Sequence, residues 1–341
     1  MVEFGFAVPA SIHEIPVSVR VEVAEQVETL GYESFWMPHS VARDVAAFDT
    51  LDTLCAAAAK TKKIKLGTNV LQVPLYQPID LARRVVTLDH LSRGRFLFGV
   101  GTGWIPKAFD HMGLSFPERG KRMDEALEIM TRLWTEEDVT YEGKYYRLHE
   151  AIVVPKPLHK PYPPILMGGL YTNIQRGAPG VNRKAGWNHR GIRRAARFAN
   201  GWIPGGRPDL DACREGMALI KEAASQEGRS LNDEDFDLTV TSYTQFNIDK
   251  DPDKALREAY SFYNTRVRES FFQVQGNPAL EALRASGCYG PAEEVAKVIN
   301  RWLGFKKTVP ALKRIVIMFA SLDPVQQLER FHKEVRPLLD M

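Results

Sequence analysis

The side chains that could carry chemistry follow short apolar segments of the chain. Each segment is typical of a β-strand and ends in small or polar residues. Parallel strands of an α/β fold carry their ligands at the carboxyl ends, so we expect these residues to share one edge of a sheet. The strand-end residues are His39, Asn69, Gln72, Thr102 to Trp104, Gly168, Gly169, Gly205 to Arg207, Gln245 or Asn247, and Ser321.

This set does not contain the groups of a self-sufficient catalyst. The sequence shows no pair of acids placed for glycoside hydrolysis, and no H-E-x-x-H, G-x-S-x-G or clustered cysteine and histidine ligands. One histidine among glycines and an indole is a better host for a bound aromatic cofactor, which would bring its own chemistry.

The segment G-V-G-T-G-W, from Gly99 to Trp104, has two interpretations. Its glycines could let a flat ring or a phosphate approach the backbone. Alternatively, Gly99 and Gly101 only relieve crowding where strands close. The segment is not the dinucleotide-binding fingerprint, because Trp104 stands at the sixth position and Pro106 follows.

His39 ends the second apolar segment, directly after Pro38. A histidine exchanges protons near neutral pH, which suits hydride chemistry at a carbonyl or an alcohol. The alternative is a structural histidine that is satisfied by hydrogen bonds.

A basic, glycine-rich loop runs from Leu170 to His189 and continues into a helix. Such a run is usually a solvated surface. Beside the Gly168-Gly169 turn it could also bind an anion through backbone N–H groups and guanidinium groups. The candidate residues of this patch are Arg176, Arg183, Lys184, Arg190, Arg193, Arg194 and Arg207.

The elements that position these residues alternate along the chain. Eight strand–helix units predict an α/β fold, a closed (β/α)8 barrel, with an inserted hairpin after the fourth helix and elaborated loops after strands five and seven. A doubly wound open sheet is the rival. Strands are expected at Glu3–Val8, Ser34–Met37, Ile64–Thr68, Phe96–Val100, Ile165–Gly169, Gly201–Ile203, Asp237–Ile248 and Arg314–Ser321.

Helices are expected between these strands. Met123, Leu127, Met130 and Trp134 should form the buried face of the fourth. Val325, Leu328, Phe331, Val335 and Leu338 should point inward from the last. The expected helices are Val17–Leu30, Leu51–Lys60, a third through Ile79–Leu88 that stops at Gly94, Arg119–Thr135, Ile192–Ala199, Leu210–Gln226, a long region Pro252–Phe305 broken near Gly276 and at Gly287–Pro291, and the last one.

A length of 341 residues allows two ordinary domains or one α/β barrel, and the count of strand–helix units favours a single barrel domain over residues 1–341. The chain has 44% hydrophobic and 26% charged residues, and its net charge of +3 is too small to indicate nucleic acid or an acidic membrane surface. Three scattered cysteines form no zinc or redox spacing. The N-terminus lacks the pattern of a signal peptide, so we expect a cytoplasmic protein. We also expect its partner to be a small-molecule substrate.

Ordered motifs along most of the chain resemble the bacterial luciferase-like superfamily of flavin and deazaflavin oxidoreductases. The resemblance implies a (β/α)8 barrel, a homodimer, and an isoalloxazine-type ring at the strand ends. The motifs are T-L-G-Y-E-S-F-W at Thr29, I-K-L-G-T-N-V at Ile64, L-D-H-L-S-R-G-R-F-L-F-G-V-G-T-G-W at Leu88, F-P-E-R-G-K-R-M-D-E-A-L at Phe116, P-P-I-L-M-G-G at Pro163 and R-R-A-A-R-F-A-N-G-W at Arg193.

Within that superfamily, G-V-G-T-G-W is similar to the coenzyme F420-dependent branch. The resemblance implies a cis peptide between Asn69 and Val70 under the ring and a histidine, His39, beside its reactive edge. It also implies cofactor contacts from the rest of the strand ends. These are Gly101, Thr102 and Gly103 along the ring and tail, and Gly168 and Gly169 on the phosphate side. Trp104 and Gly205 at the strand ends and Arg190 in the basic patch are further cofactor-binding candidates.

Two positions depart from the related sugar-phosphate dehydrogenases. Those enzymes carry an acid before the histidine and a glutamate directly after G-T-G, where this chain has Pro38 and Trp104. Sugar-phosphate oxidation is therefore not expected, and the indole suggests an apolar wall for a flat or aliphatic substrate. Three functions stay open: a coenzyme F420-dependent oxidoreductase, an FMN-dependent monooxygenase that uses oxygen, and a non-catalytic flavin-binding member.

Overall fold

The computed structural model describes residues 1–9, 12, 14–40, 47–172, 186–205, 210–241, 245–266, 283 and 288–341. Within them, eight parallel strands form a closed barrel, because each pairs with its neighbour and the third pairs with the fourth through Leu66 and Phe96. The predicted (β/α)8 barrel is confirmed. Its strands are β1 (Glu3–Ala7), β2 (Ser34–Met37), β3 (Lys65–Thr68), β4 (Phe96–Gly101), β5 (Ile165–Gly169), β6 (Gly201–Pro204), β7 (Asp237–Thr241) and β8 (Leu312–Met318).

Helices lie between successive strands and begin or end where capping residues allow. Asn188 accepts a hydrogen bond from the Gly191 N–H and so starts the fifth helix. Arg93 and Gly94 take left-handed backbone angles and end the third, as expected from Gly94. The helices are α1 (Val17–Thr29), α2 (Thr50–Lys60), α3 (Pro78–Ser92), α4 (Arg119–Thr135), α5 (His189–Phe198), α6 (Leu210–Gln226), α7 (Ala292–Gly304) and α8 (Pro324–Arg330).

Further helices and strands are inserted between the barrel strands at the positions where the sequence predicted a hairpin and elaborated loops. The antiparallel hairpin Val139–Glu142 with Arg147–Ala151 follows α4, as expected. After β5, Tyr171–Thr172 pairs with Gly186–Trp187. After β7 come the helix Pro252–Arg266 and a parallel pair of strands, Phe246–Ile248 with Cys288–Gly290. A short helix, Pro106–His111, lies between β4 and α4.

A tryptophan fills the interior of the barrel. The Trp36 side chain is fully buried, and its indole N–H donates to Ser34 Oγ at 2.9 Å. The facing strands carry Gly5 and Gly67, where a β-carbon would collide with the indole ring. Around it packs an apolar layer at the barrel centre, made of Ala7, Leu97, Leu166, Ile203, Val316 and Met318, with Val70 above it.

An ion network closes the barrel at the amino ends of its strands. Arg314 is buried and pairs with Glu3 at 2.6 Å and with Asp237 at 2.9 Å. Its Nη1 also donates to Thr239 Oγ1 at 3.1 Å, and Lys65 reaches Glu3 at 2.7 Å. Each of these charges therefore has an opposite partner.

Two predictions about elements are wrong. The segment Asp237–Ile248 is not one strand, because β7 ends at Thr241 and Phe246–Ile248 turns away to pair with Cys288–Gly290. Leu338 is 43% exposed, because the chain passes from a π-helical turn at Phe331–Val335 into a 3-10 turn and the helical face rotates outward.

None of the described helices is both long enough and apolar enough to cross a membrane.

Candidate active site

An interruption of the third barrel strand shapes the mouth of the barrel. β3 stops at Thr68, the Asn69–Val70 peptide is cis, and the chain resumes with Leu71 and Gln72, which pair with the end of β4. The cis peptide is at the position that the family resemblance implies. The bulge places the half-buried Val70 side chain above the apolar layer at the barrel centre.

Gly101 and Gly168 provide the room that Val70 occupies. A β-carbon at Gly101 would lie 2.7 Å from Val70 Cγ2, and one at Gly168 would lie 2.8 Å from the same atom. The two glycines are thus required sterically by the bulge. Their role as cofactor contacts, like that of Val70, stays a prediction.

The turn after β4 is held against the bulge. Gly103 has a φ of 78°, and a β-carbon there would lie 2.7 Å from Gln72 Oε1. Arg119 at the start of α4 donates to the Gly103 carbonyl at 3.3 Å. Thr102 and Trp104 on either side are partly exposed at the mouth, so both are accessible from solvent.

His39 lies at the carboxyl end of β2 and is held from two sides. Its Nδ1 receives the Gln72 backbone N–H at 3.3 Å, and its Nε2 lies 2.9 Å from Tyr76 Oη. Because enclosure by protein disfavours the charged ring, the pKa of His39 falls to about 4, although Asp49 opposes this and Arg84 adds to it. The imidazole is therefore neutral at physiological pH.

Tyr76 belongs to the site although no pattern in the sequence predicts it. It follows the 3-10 turn Val73–Leu75 and not a strand, so no strand-end pattern points to it. The Arg84 guanidinium lies 5.9 Å from the centre of the Tyr76 ring and is fixed by Asp49 at 3.2 Å and Asp52 at 3.0 Å. A histidine, a phenol and a paired arginine thus form one contiguous group at the edge of the mouth.

Buried polar atoms without a hydrogen-bond partner in the described structure collect at this end of the barrel. Buried polar groups are normally satisfied, so such atoms are what a polar ligand or bound water would meet. The atoms at this end are Ser40 Oγ, Asn69 Oδ1, Gln72 Oε1, Thr241 Oγ1 and Gln245 Oε1; in the rest of the described structure Asp89 Oδ1, Arg122 Nε and Tyr146 Oη also lack a partner.

On the opposite side of the mouth, the last residue of β5, Gly169, and the residue after it, Leu170, have left-handed backbone angles, each with a φ of 82°. The Leu170 carbonyl accepts the Asn188 N–H at 2.8 Å, so the start of α5 is tied to this turn. Gly205 follows β6, and a β-carbon there would lie 3.3 Å from the Gly169 Cα. Small residues and a helix amino end therefore meet here, as an anion site requires.

A basic groove continues from that helix along the outside of the barrel. Its cavity has a volume of about 350 Å³ and lies between α4 and α5. Arg194 is buried and pairs with Asp124 at 2.5 Å, whereas Arg190 and Arg193 are exposed and have no carboxylate partner in the described part of the chain. We call this the α4–α5 groove; it is lined by Lys121, Asp124, Arg190, Arg193, Arg194, Arg197, Phe198 and Glu227.

The remaining candidate residues have different positions. Asn247 is not at the mouth, because its amide donates to the Ala320 carbonyl at 2.9 Å inside a buried cluster with Gln327. Ser321 Oγ accepts the Asp323 N–H, which begins the turn into α8. Arg176, Arg183, Lys184 and Arg207 lie outside the described residues.

The chain belongs to the luciferase-like monooxygenase family, whose model matches residues 2–301. It is 31% identical over 313 residues to an F420-dependent glucose-6-phosphate dehydrogenase of Kineococcus radiotolerans, covering 86% of this chain and 81% of that protein. It is 26% identical over 224 residues to limonene 1,2-monooxygenase of Rhodococcus erythropolis, covering 64% of this chain and 53% of that protein. Its relatives are therefore oxidoreductases and monooxygenases.

Solved structures share the fold. An F420-dependent secondary alcohol dehydrogenase aligns over 100% of both chains with a TM-score of 0.75 and 19% identity. The monooxygenase RslO1 from Streptomyces bottropensis aligns over 98% of this chain and 99% of its own with the same TM-score and 21% identity.

Proposed function

We propose that this protein is a coenzyme F420-dependent oxidoreductase that transfers hydride between the deazaflavin and a small organic substrate. The homodimer and the small-molecule substrate expected from the sequence are part of the same proposal. The observation that carries it is the basic α4–α5 groove, because its helix α5 begins beside the turn at the end of β5.

The mouth has features that fit a flat, polar-edged ring. Val70 offers an apolar surface at its centre, while Asn69 and Gln72 bring buried carbonyl oxygens without protein partners. Such oxygens can accept the ring N–H that flavins and deazaflavins share. When bound, either cofactor supplies two-electron hydride chemistry that no group of this chain provides.

The groove supports coenzyme F420 over FMN in this proposal. Coenzyme F420 carries a phosphate followed by a polyglutamate tail, whereas FMN ends at one phosphate. The turn at Gly169 and the start of α5 fit the phosphate. Beyond them Arg190, Arg193 and Lys121 present positive charge along the groove, where a chain of carboxylates could lie.

The substrate side of the proposal follows from Trp104. This residue stands where the related sugar-phosphate dehydrogenases have a glutamate, and it lies half-buried at the mouth. An indole offers apolar contact and a single N–H, which suits a ketone, aldehyde or activated alkene better than a sugar phosphate.

Parallel titrations with oxidised coenzyme F420 and FMN at several salt concentrations test this proposal. We expect tighter binding of F420, with a steep salt dependence that FMN does not share. Arg190→Gln and Arg193→Gln should each weaken F420 binding several-fold and flatten that dependence, while Arg147→Gln on the outer hairpin should do neither. Equal or tighter binding of FMN would overturn the F420 proposal.

An FMN-dependent monooxygenase is the second candidate. It is favoured by the family model itself and by a monooxygenase relative, 4-hydroxyprotoasukamycin monooxygenase of Streptomyces nodosus subsp. asukaensis, which is 34% identical over 139 residues. That match covers only 40% of this chain and 38% of the relative. Transfer of an oxygen atom from O2 to a substrate in the presence of reduced FMN would support this function, and the same titrations would show preferential FMN binding.

A further inference from the structure

The hydrogen bonds around His39 assign its proton. A backbone N–H can only donate, and the Gln72 N–H points at His39 Nδ1 at 3.3 Å. Nδ1 is therefore the ring nitrogen without a proton. In a neutral imidazole the proton then lies on Nε2, which is 2.9 Å from Tyr76 Oη.

This arrangement removes His39 as a proton-transfer group. Its lone pair is used by the Gln72 N–H, and its Nε2–H is directed at Tyr76. Loss of the Nε2 proton would leave an imidazolate anion, which is far too basic to form at neutral pH. His39 is thus a hydrogen-bond donor with a fixed orientation.

Tyr76 has the complementary role. Because its oxygen accepts from His39, its own hydrogen must point elsewhere, and no acceptor for it is found in the described part of the chain. The Tyr76 side chain is only half-buried. A phenol that accepts from one partner, and whose hydrogen has no acceptor among the described residues, is arranged to donate to a ligand.

The charges that face Tyr76 come from α2, α3 and the loop before α2. Burial raises the pKa of the phenol, Asp49, Asp52 and Asp80 raise it further, and only Arg84 opposes them. The hydroxyl is therefore protonated across the physiological range. The neighbouring His39 is neutral there, since its pKa is about 4.

We infer that Tyr76, not His39, is the catalytic residue that gives a proton to the substrate, and that His39 is a positioning residue that orients the phenol. This inference rests on the proposed function. A carbonyl carbon that accepts hydride leaves electrons on its oxygen, and that oxygen takes the Tyr76 hydroxyl proton as the O–H bond of the alcohol forms. The His39 Nε2–H stabilises the phenolate until water returns the proton.

Nitrogen-15 NMR of histidine-labelled protein tests the assignment without cofactor or substrate. We expect His39 to show a proton on Nε2 and a bare Nδ1 from pH 6 to pH 8. In Tyr76→Phe the Nε2–H signal should weaken through faster exchange with water, whereas Tyr145→Phe, a tyrosine on the outer surface, should leave it unchanged. A proton on Nδ1, or a doubly protonated ring at pH 6, would overturn the inference.

Turnover provides a second readout, with reduced coenzyme F420 and with cyclohexanone and 2-cyclohexen-1-one as probes. Tyr76→Phe should lower kcat about 10²- to 10⁴-fold and leave F420 binding within two-fold. His39→Gln keeps an N–H donor and should lose much less. The opposite ranking would make His39 the proton donor, and the NMR result decides if neither probe reacts.

The experiments distinguish a failure of this inference from a failure of the proposed function. If the wild-type protein does not bind F420, the proposed function fails whatever the tautomer of His39. If it binds F420 while His39 carries its proton on Nδ1, only the role of Tyr76 is wrong.

Discussion

The two ends of the barrel differ in whether their buried polar groups have hydrogen-bond or ion-pair partners. At the amino ends of the strands, Arg314, Glu3, Asp237 and Thr239 form a network in which each charge is paired. At the carboxyl ends, Asn69, Gln72, Thr241 and Gln245 each keep a buried oxygen with no partner in the described structure.

Within one sheet, the paired groups at the amino ends contribute to stability, whereas the unpaired oxygens at the carboxyl ends are placed to meet a ligand. Paired buried charges stabilise the fold only as long as both partners remain. Unpaired buried oxygens lower stability and are kept where a ligand satisfies them. Substitutions at the two ends should therefore have opposite effects on folding and on cofactor binding.

The largest effect is expected at the amino end. Arg314→Met leaves the carboxylates of Glu3 and Asp237 without their main cationic partner at a site that is partly shielded from water. The free energy of unfolding should therefore fall by about 3–5 kcal/mol. Urea denaturation measures this. Lys65→Met removes a half-exposed partner of the same glutamate and should cost less than about 1 kcal/mol. Equal losses would contradict the network.

At the carboxyl end, the bulge predicts a coupled pair. Gly101→Ala places a β-carbon against Val70 and should cost about 1–3 kcal/mol, as overpacking does. Val70→Ala removes the obstacle, so the double variant should recover most of the loss in a double-mutant cycle. Additive losses in urea denaturation would show that Val70 is not what excludes a side chain from position 101.

The acid dependence of stability should also come from the amino end. Burial alone raises the pKa of Glu3, but Arg314 and Lys65 outweigh it and hold that pKa below the ordinary 4.5. The unfolded chain therefore binds the proton more tightly, so this contribution is present above about pH 4.5 and is lost as the pH falls through the lower, folded value. Unfolding measured from pH 7 to pH 3 should show this loss, and Glu3→Gln should reduce it.

The barrel could be predicted because its strands are apolar runs that end in glycine or polar residues. Strand seven was extended too far because residues 237–248 continue the same pattern while the chain changes partner after Thr241. This change of pairing partner depends on the strand Cys288–Gly290, about 40 residues further along the chain. No sequence pattern within residues 237–248 indicates it.

The site could be predicted only where it coincides with strand ends. His39 and the bulge at Asn69 follow directly from that rule and from the family resemblance. Tyr76 does not, because it reaches His39 from a turn four residues beyond the resumed strand. The network around Arg314 was also missed, since charged residues at the first positions of strands are equally typical of solvent-exposed ends.

A matched pair of threonines provides the most direct test of the contrast between the two ends. Thr239 and Thr241 lie two residues apart on one face of β7, and both are buried. Thr239 Oγ1 bonds Arg314 and Asp237, whereas Thr241 Oγ1 has no partner in the described structure.

The measurement is urea unfolding of Thr239→Val and Thr241→Val, each with and without coenzyme F420. We predict that Thr239→Val loses about 1 kcal/mol of stability but keeps the gain on adding F420. Thr241→Val should keep its stability and lose about 1.4 kcal/mol of that gain, a tenfold weaker affinity. If both variants lose stability equally and keep the full gain, the carboxyl end of the barrel is not the cofactor site.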